Sequence, residues 1–272
     1  MTAPESAATG VSTFVQHGPV RLHVLGNDRA APSGQADQAD QADQADQADQ
    51  ADRSPAPVVV VPGMGEYAGE YGWLLDRLGD RRAVAVDLRG RGGSDAPPAD
   101  SAGYSWEDHI ADLRAVVEAL GLHRPVLVAF SRGSSYALGY ALRYPDEVGG
   151  LVVGDYWARH ARPPDAAVER QLTARIRGVA VADRMPGHAA RAVFAQARDV
   201  PLWDRLGELR CGVLVIRGGR RGAVVTDEVA AQWREALPTV ELATVDDAGH
   251  DLWSRDRDAY LAALLPFLAR AG

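Results

Sequence analysis

Pro125-Val126-Leu127-Val128-Ala129-Phe130-Ser131-Arg132-Gly133-Ser134-Ser135 holds two periodicities that meet at a single residue. Residues 126–130 are a short apolar run rich in β-branched side chains, the pattern of a strand buried on both faces. From Ser134 onward Tyr136, Ala137, Leu138, Tyr140, Ala141 and Leu142 fall on one helical stripe. A chain that turns this abruptly from strand to helix strains the corner residue and crowds its neighbours two positions away. Ala129 and Gly133 are small enough for that crowding. Ser131 therefore stands proud of the sheet at a helix N-terminus, where N–H groups can stabilise an oxyanion. The same residues also admit a plainer reading, a βα turn with an N-capping serine.

Outward from this corner the chain alternates strands and helices. Residues 11–15 and 20–25 predict an antiparallel hairpin turning at Gly18-Pro19. Short buried strands are expected at 58–61, 83–86, 151–154, 213–216 and 240–245. Helices are expected near 73–78, at 106–120 with Ser105 as N-cap and Gly121 at its end, at 228–237, and at 252–268. Alternation of this kind predicts an α/β fold, a mostly parallel sheet of about eight strands covered on both faces. Ligands of such sheets bind beyond the carboxyl ends of the strands. Met64, Arg89, Ser131, Asp155 and His250 all fall just past predicted strand ends.

Two segments break the rhythm. Gln-Ala-Asp repeats six times across residues 35–52, with a period that suits neither helix nor strand, so residues 27–56 read as a disordered surface loop. Residues 1–10 read as a loose tail. Residues 157–207 are rich in Arg and Ala, carry Pro163, Pro164, Pro186 and Pro201, and read as a small helical lid. The core is then residues 11–156 together with 208–270, one domain.

Composition narrows the function classes. The 272 residues are 46% hydrophobic, enough for one sizeable core. A formal charge of −8 argues against general nucleic-acid binding. Cys211 is the sole cysteine, so neither an internal disulfide nor a cysteine-based metal site is expected, and packing is its expected role. With no export signal and no long apolar run, the expectation is a soluble cytoplasmic protein without membrane partners, metal or cofactor.

Three motifs together give the chain a resemblance to the α/β-hydrolase superfamily. They are the Ala129-x-Ser131-x-Gly133 elbow, the segment Asp87-Leu88-Arg89-Gly90-Arg91-Gly92-Gly93-Ser94, and Ala248-Gly249-His250. The resemblance implies Ser131 as nucleophile, His250 as base, and an oxyanion hole built from the backbone N–H groups of Met64 and Arg132. It also exposes a departure. In the family an Asp usually follows the strand at 213–216, and here Gly222 occupies that place. Asp155, at the end of the neighbouring strand, is one substitute, because adjacent strands lie only ~4.8 Å apart. Asp227 is a second, though helix capping also explains it. A site with no acid at all is the third.

The implied activity is serine-dependent hydrolysis, through an acyl-enzyme, of a small, partly apolar ester, thioester, lactone or C–C substrate. A non-hydrolytic or ligand-binding member of the fold is the alternative, as is an isomerase, lyase or cyclase, because the fold hosts many chemistries. Trp157 and Trp203, near the ends of the lid, are candidates to wall the substrate pocket. An inward-turned Arg132 could grip a substrate carboxylate or pair with Glu66 or Asp155; a structural ion pair or a solvent-facing side chain is the plainer reading. The loop carrying Arg89, Arg91 and Asp95 reads as a structural turn, and His109 as a structural histidine.

Overall fold

The computed structural model of the protein describes residues 10–27, 55–98, 103–164 and 166–271. All but the last residue of the expected tail and nearly all of the loop expected at 27–56 lie outside the described residues. Eight strands form one sheet: β1 (Val11–His17), β2 (Val20–Gly26), β3 (Val58–Val61), β4 (Ala83–Val86), β5 (Val126–Phe130), β6 (Gly150–Gly154), β7 (Gly212–Gly218) and β8 (Glu241–Val245). Their spatial order is β1-β2-β4-β3-β5-β6-β7-β8. The β1–β2 and β2–β4 pairs are antiparallel and every other pair is parallel.

Strands β3, β4, β5 and β6 are buried at every residue, as parallel strands covered on both faces must be. Alternate side chains feed two cores. Val59, Val61, Leu127, Ala129, Leu151 and Val153 pack beneath helices α2 (Trp106–Ala119), α3 (Arg132–Arg143) and α6 (Asp227–Ala236). Val58, Val60, Val126, Val128 and Val152 pack beneath α1 (Gly72–Arg77) and α7 (Arg257–Arg270). Ser105 caps α2 as expected, in a reciprocal box with Asp108. Helix α7 begins later than its apolar pattern predicts. Leu252 and Trp253 are buried in a loop against the second core, and Asp256 caps the helix by accepting from the Ala259 N–H. Cys211 packs, partly buried, just ahead of β7, and burial pushes its thiol up to about 11.

Residues 157–207 are not purely helical. The two-residue strands Arg159–His160 and Val200–Pro201 pair at their base. Between them lie α4 (Ala166–Thr173), a hairpin of Arg175–Ile176 with Val179–Ala180, and α5 (Gly187–Ala195). The hairpin turns on Arg177 and Gly178, both at positive φ (48° and 83°), as a two-residue turn with primed geometry requires. Val181, Met185, Ala189 and Val193 give this insertion an apolar cluster of its own, against which Met64 packs. Among the described residues no helix is long and apolar enough to cross a membrane.

Candidate active site

Parallel strands in level register put their ends side by side. Phe130 on β5 and Ile216 on β7 both pair with Gly154 on β6. Ser131 and Asp155 are therefore the first residues beyond adjacent strands, about 4.8 Å apart in the sheet direction. Each is held there by its own backbone: the Ser131 N–H donates to Gly154 O and the Asp155 N–H to Ile216 O, both at 2.8 Å. Ser131 has φ 49° and ψ −130°, and Asp155 has φ 45°, both in territory that non-glycine residues rarely occupy. The crowding expected at the corner is present, since a Cβ on Gly133 would collide with the carbonyl oxygens of Val61 and Pro62.

The Ser131 side chain makes no capping bond. It is instead 2.9 Å from His250 Nε2, while His250 Nδ1 is 2.8 Å from Asp155 Oδ2. A carboxylate can only accept, so Nδ1 carries the imidazole hydrogen and Nε2 is left to accept from the serine hydroxyl. The Phe130 ring lies 5.0 Å from the imidazole and 4.6 Å from Trp253. Asp155 is fully buried. Its carboxylate also accepts from the N–H groups of Val224 (2.7 Å) and Val225 (3.0 Å). The loop that carries Gly222 where an acid is expected thus supplies two amides that orient the acid one strand away. Asp227 lies elsewhere: it is the first residue of α6, largely exposed, with its carboxylate 2.6 Å from Arg217.

Arg132 opens α3, so its N–H belongs to the first turn, where a helix has no internal acceptor. Met64 follows β3 across Pro62-Gly63, a turn shaped by Glu66. The buried Glu66 carboxylate accepts from the Gly63 N–H (2.7 Å) and the Tyr71 hydroxyl (2.6 Å). A Cβ on Gly63 would come within 3.1 Å of the Ser131 Cβ, which is why this turn needs glycine. Arg177 of the insertion lies 2.8 Å from Glu66 and makes two 3.0 Å bonds to Asp251, the neighbour of His250. None of Tyr71, Arg177 and Asp251 stands out in the sequence, because no local pattern joins segments so far apart.

Some expected contacts do not form. Arg132 is buried but pairs with neither Glu66 nor Asp155; its guanidinium donates to Tyr136 Oη (3.1 Å), Ala161 O (3.0 Å) and His160 Nε2 (3.1 Å). Trp203 packs 5.2 Å from Trp233, and Trp157 packs on Tyr156 beneath the Arg159 guanidinium, so both rings lean on the first core.

Another serine–histidine–carboxylate chain exists: Ser12 Oγ lies 3.0 Å from His23 Nε2, and His23 Nδ1 lies 2.7 Å from Asp87. His23 and Asp87 also line a surface cleft of about 880 Å³. Ser12 sits within strand β1, however, and the nearby Gly92 and Gly93 N–H groups are committed to Arg184 O and Asp87. The elbow differs in having a fresh helix N-terminus under its hydroxyl.

Residues 56–201 match the family model described as the alpha/beta hydrolase fold. The chain belongs to the α/β-hydrolase family. Among relatives of this family, N-formylmaleamate deformylase of Pseudomonas putida is 26% identical over 240 residues, covering 78% of this chain and 88% of the relative. The (lyso)-N-acylphosphatidylethanolamine lipase of Bos taurus is 30% identical over 131 residues, 47% of this chain and 38% of the lipase, so the chain spans well under half of that relative's length. Among solved structures, an esterase from Exiguobacterium antarcticum superposes with a TM-score of 0.73 at 20% identity, covering 95% of this chain and all of the esterase. That likeness bears on the fold. Among the described residues no group of three or more His, Cys, Asp or Glu is placed to hold a metal ion.

The α/β-hydrolase elbow rests on a buried histidine. His160 Nδ1 is 2.9 Å from Ser135 Oγ, which donates to the carbonyl of Arg132 at 2.8 Å. Burial first, and the Arg132 charge second, push the His160 pKa down to about 3. The unfolded chain, with the ordinary value of 6.5, binds a proton that the folded chain does not between these limits. Stability is therefore complete above about pH 6.5 and falls as pH drops toward 3, with a slope approaching ~1.4 kcal/mol per pH unit. Urea midpoints measured across this window should fall less steeply for His160→Asn than for the wild type. Equal slopes would show that His160 is not the group responsible.

Proposed function

We propose that the protein is a serine hydrolase that cleaves a small, partly apolar ester, thioester, lactone or C–C substrate through an acyl-enzyme at Ser131. The observation that carries this reading is the unbroken hydrogen-bond chain from Ser131 through His250 to the buried Asp155, at 2.9 and 2.8 Å. His250 takes the hydroxyl proton as Ser131 attacks the carbonyl and returns it to the leaving group. The Met64 and Arg132 N–H groups receive the developing oxyanion, a role in which loss of one donor costs roughly 10²–10³-fold. Water then repeats the sequence on the acyl-enzyme. The names of the relatives, a deformylase and a lipase, agree with hydrolysis at a carbonyl. The non-hydrolytic alternative draws on Gly222 standing where the family usually has its acid, and the Asp155 carboxylate 2.8 Å from His250 Nδ1 supports the hydrolytic reading over it.

In this reading residues 157–207 act as the lid, and Arg177 is its latch. Its guanidinium lies 4.7 Å above the Trp253 ring and bridges the oxyanion turn, through Glu66, to the His250 loop, through Asp251. Arg177→Met is expected to lower kcat by roughly 10–100-fold, since small misplacements of reacting groups cost that much. Steady-state kinetics on a short-chain ester, alongside a thermal melt, separates this from unfolding; an unchanged kcat discards the latch.

The decisive measurement is a fluorophosphonate probe on the wild-type protein. Ser131 should label, with mass spectrometry placing the adduct on the peptide containing the elbow. A well-folded protein left unlabelled at Ser131 would refute an activated nucleophile.

A further inference from the structure

Among the described residues four arginines are buried: Arg89, Arg91, Arg132 and Arg184. Two have acidic partners. Arg89 holds Asp112 through two 2.6 Å bonds, and Arg184 lies 2.6 Å from Glu70. The other buried acids are engaged as well, Glu66 with Arg177, Asp87 with His23, and Asp155 with His250. Arg91 and Arg132, at 1% and 5% exposure, touch no carboxylate. Arg91 donates to Arg89 O (3.3 Å), His109 Nε2 (3.1 Å) and Met64 Sδ (3.5 Å), and its Nε has no partner. The acceptors of Arg132 are the Tyr136 phenol, the Ala161 carbonyl and His160.

Every one of those acceptors is neutral. His109 donates through Nδ1 to Ser105 O at 2.7 Å and stacks on Tyr136 at 4.3 Å, so only its Nε2 lone pair faces Arg91. Burial first, then the Arg91 charge, hold His109 well below its ordinary pKa, and His160 stays uncharged for the parallel reason. The two guanidiniums also feel each other: burial, the largest cause, and the like charge of Arg132 both push Arg91 below its ordinary value, and Tyr136 stands beside both. An arginine keeps its proton even so. A buried charge without a counter-charge is costly, and two of one sign with only neutral partners leave positive charge that an anion would balance.

The place of that unbalanced charge is informative. Arg132 is the residue after Ser131, and Arg91 reaches the side chain of Met64, the two residues assigned to the oxyanion hole. We propose that Arg91 and Arg132, with the Tyr136 hydroxyl between them, form a carboxylate-binding subsite beside Ser131, so that the preferred substrates are esters, lactones or amides of dicarboxylic acids. The free carboxylate takes the fork of Arg91 and the phenol hydrogen, and the scissile carbonyl faces Ser131. This deepens the hydrolase reading and, for turnover, rests on it.

Two measurements test the subsite separately from the nucleophile. Proton release in a pH-stat compares monomethyl glutarate and monomethyl adipate with methyl pentanoate. The wild type should favour one of the acid esters by about 10²-fold in kcat/KM, the scale on which unpaired buried polar groups reject the wrong ligand. Arg91→Met should bring that ratio to within a few-fold. Calorimetry on Ser131→Ala should detect glutarate but not its diamide, and Ser131→Ala/Arg91→Met should lose the glutarate. A wild-type ratio near one, with methyl pentanoate turned over well, overturns the subsite and leaves the hydrolase intact. No turnover of any ester, with Arg91-dependent glutarate binding, overturns the hydrolase and leaves the subsite. Should Arg91→Met not fold, protection of wild-type Ser131 from the fluorophosphonate decides: glutarate must protect better than its diamide, and equal protection ends the proposal.

Discussion

Ser131→Ala will lower kcat on any substrate by about 10⁶-fold, the scale seen when the nucleophile of a serine hydrolase is removed, and will abolish fluorophosphonate labelling. It will leave the fold in place, because the hydroxyl makes no structural bond beyond His250. Ser131→Gly makes the physical content sharper. The corner residue sits at φ 49°, where a side chain is strained and glycine is not. Glycine should therefore be just as inactive but more stable, by about 1 kcal/mol, after allowing for the extra freedom it gives the unfolded chain. Paired urea melts and single-turnover assays read both effects. An inactive Ser131→Gly no more stable than Ser131→Ala would mean that the corner stores no strain; an active Ser131→Ala would remove the nucleophile altogether.

The corner was legible in the sequence because its requirements are local. A buried strand, a helix and small residues at fixed offsets leave few conformations for residues 129–133, and parallel strands that end at one edge of the sheet follow from alternation. Asp155, the first polar residue past an apolar strand, stands out in the sequence only as one candidate acid, with Asp227 and no acid at all left open beside it. What sequence reasoning missed depends on contacts between distant segments. Glu66, Arg177 and Asp251 meet only once the insertion folds back over the sheet edge. Its hairpin escaped notice because two-residue strands are too short to display a period. Leu252 and Trp253 mimicked helical spacing while packing as loop residues. Arg91 read as part of a charged, glycine-rich turn, and nothing along the chain signals that no carboxylate waits for it inside the fold.

Asp155→Asn will cost about 10⁴-fold in kcat, as the equivalent change does in a serine protease triad, whereas Asp227→Asn will change kcat less than twofold. The reason lies in which atoms donate. Asp155 Oδ2 accepts from His250 and from the Val224 N–H, and Oδ1 accepts from the Val225 N–H, so both oxygens face donors. An asparagine has one acceptor oxygen. If that oxygen stays on the His250 side, its amide hydrogens point at the Val225 N–H, and one buried donor is left without an acceptor, at about 1–3 kcal/mol of stability. If the amide flips, its hydrogens point at His250 Nδ1, which must then become the acceptor. The imidazole hydrogen moves to Nε2, and the nitrogen facing Ser131 can no longer take the hydroxyl proton. Both arrangements keep a bond to the ring and both are penalised: the first loses the charge that stabilises the imidazolium and strands the Val225 N–H, and the second holds the imidazole in the wrong tautomer. Asp227 has no such linkage: it is exposed at the start of α6 beside Arg217, and Thr226 already caps that helix by accepting from the Val229 N–H. Comparing kcat for the two variants on one ester, with urea melts for each, is enough. A loss below tenfold for Asp155→Asn, or equal losses for both, would mean that His250 is oriented by something other than the carboxylate it touches.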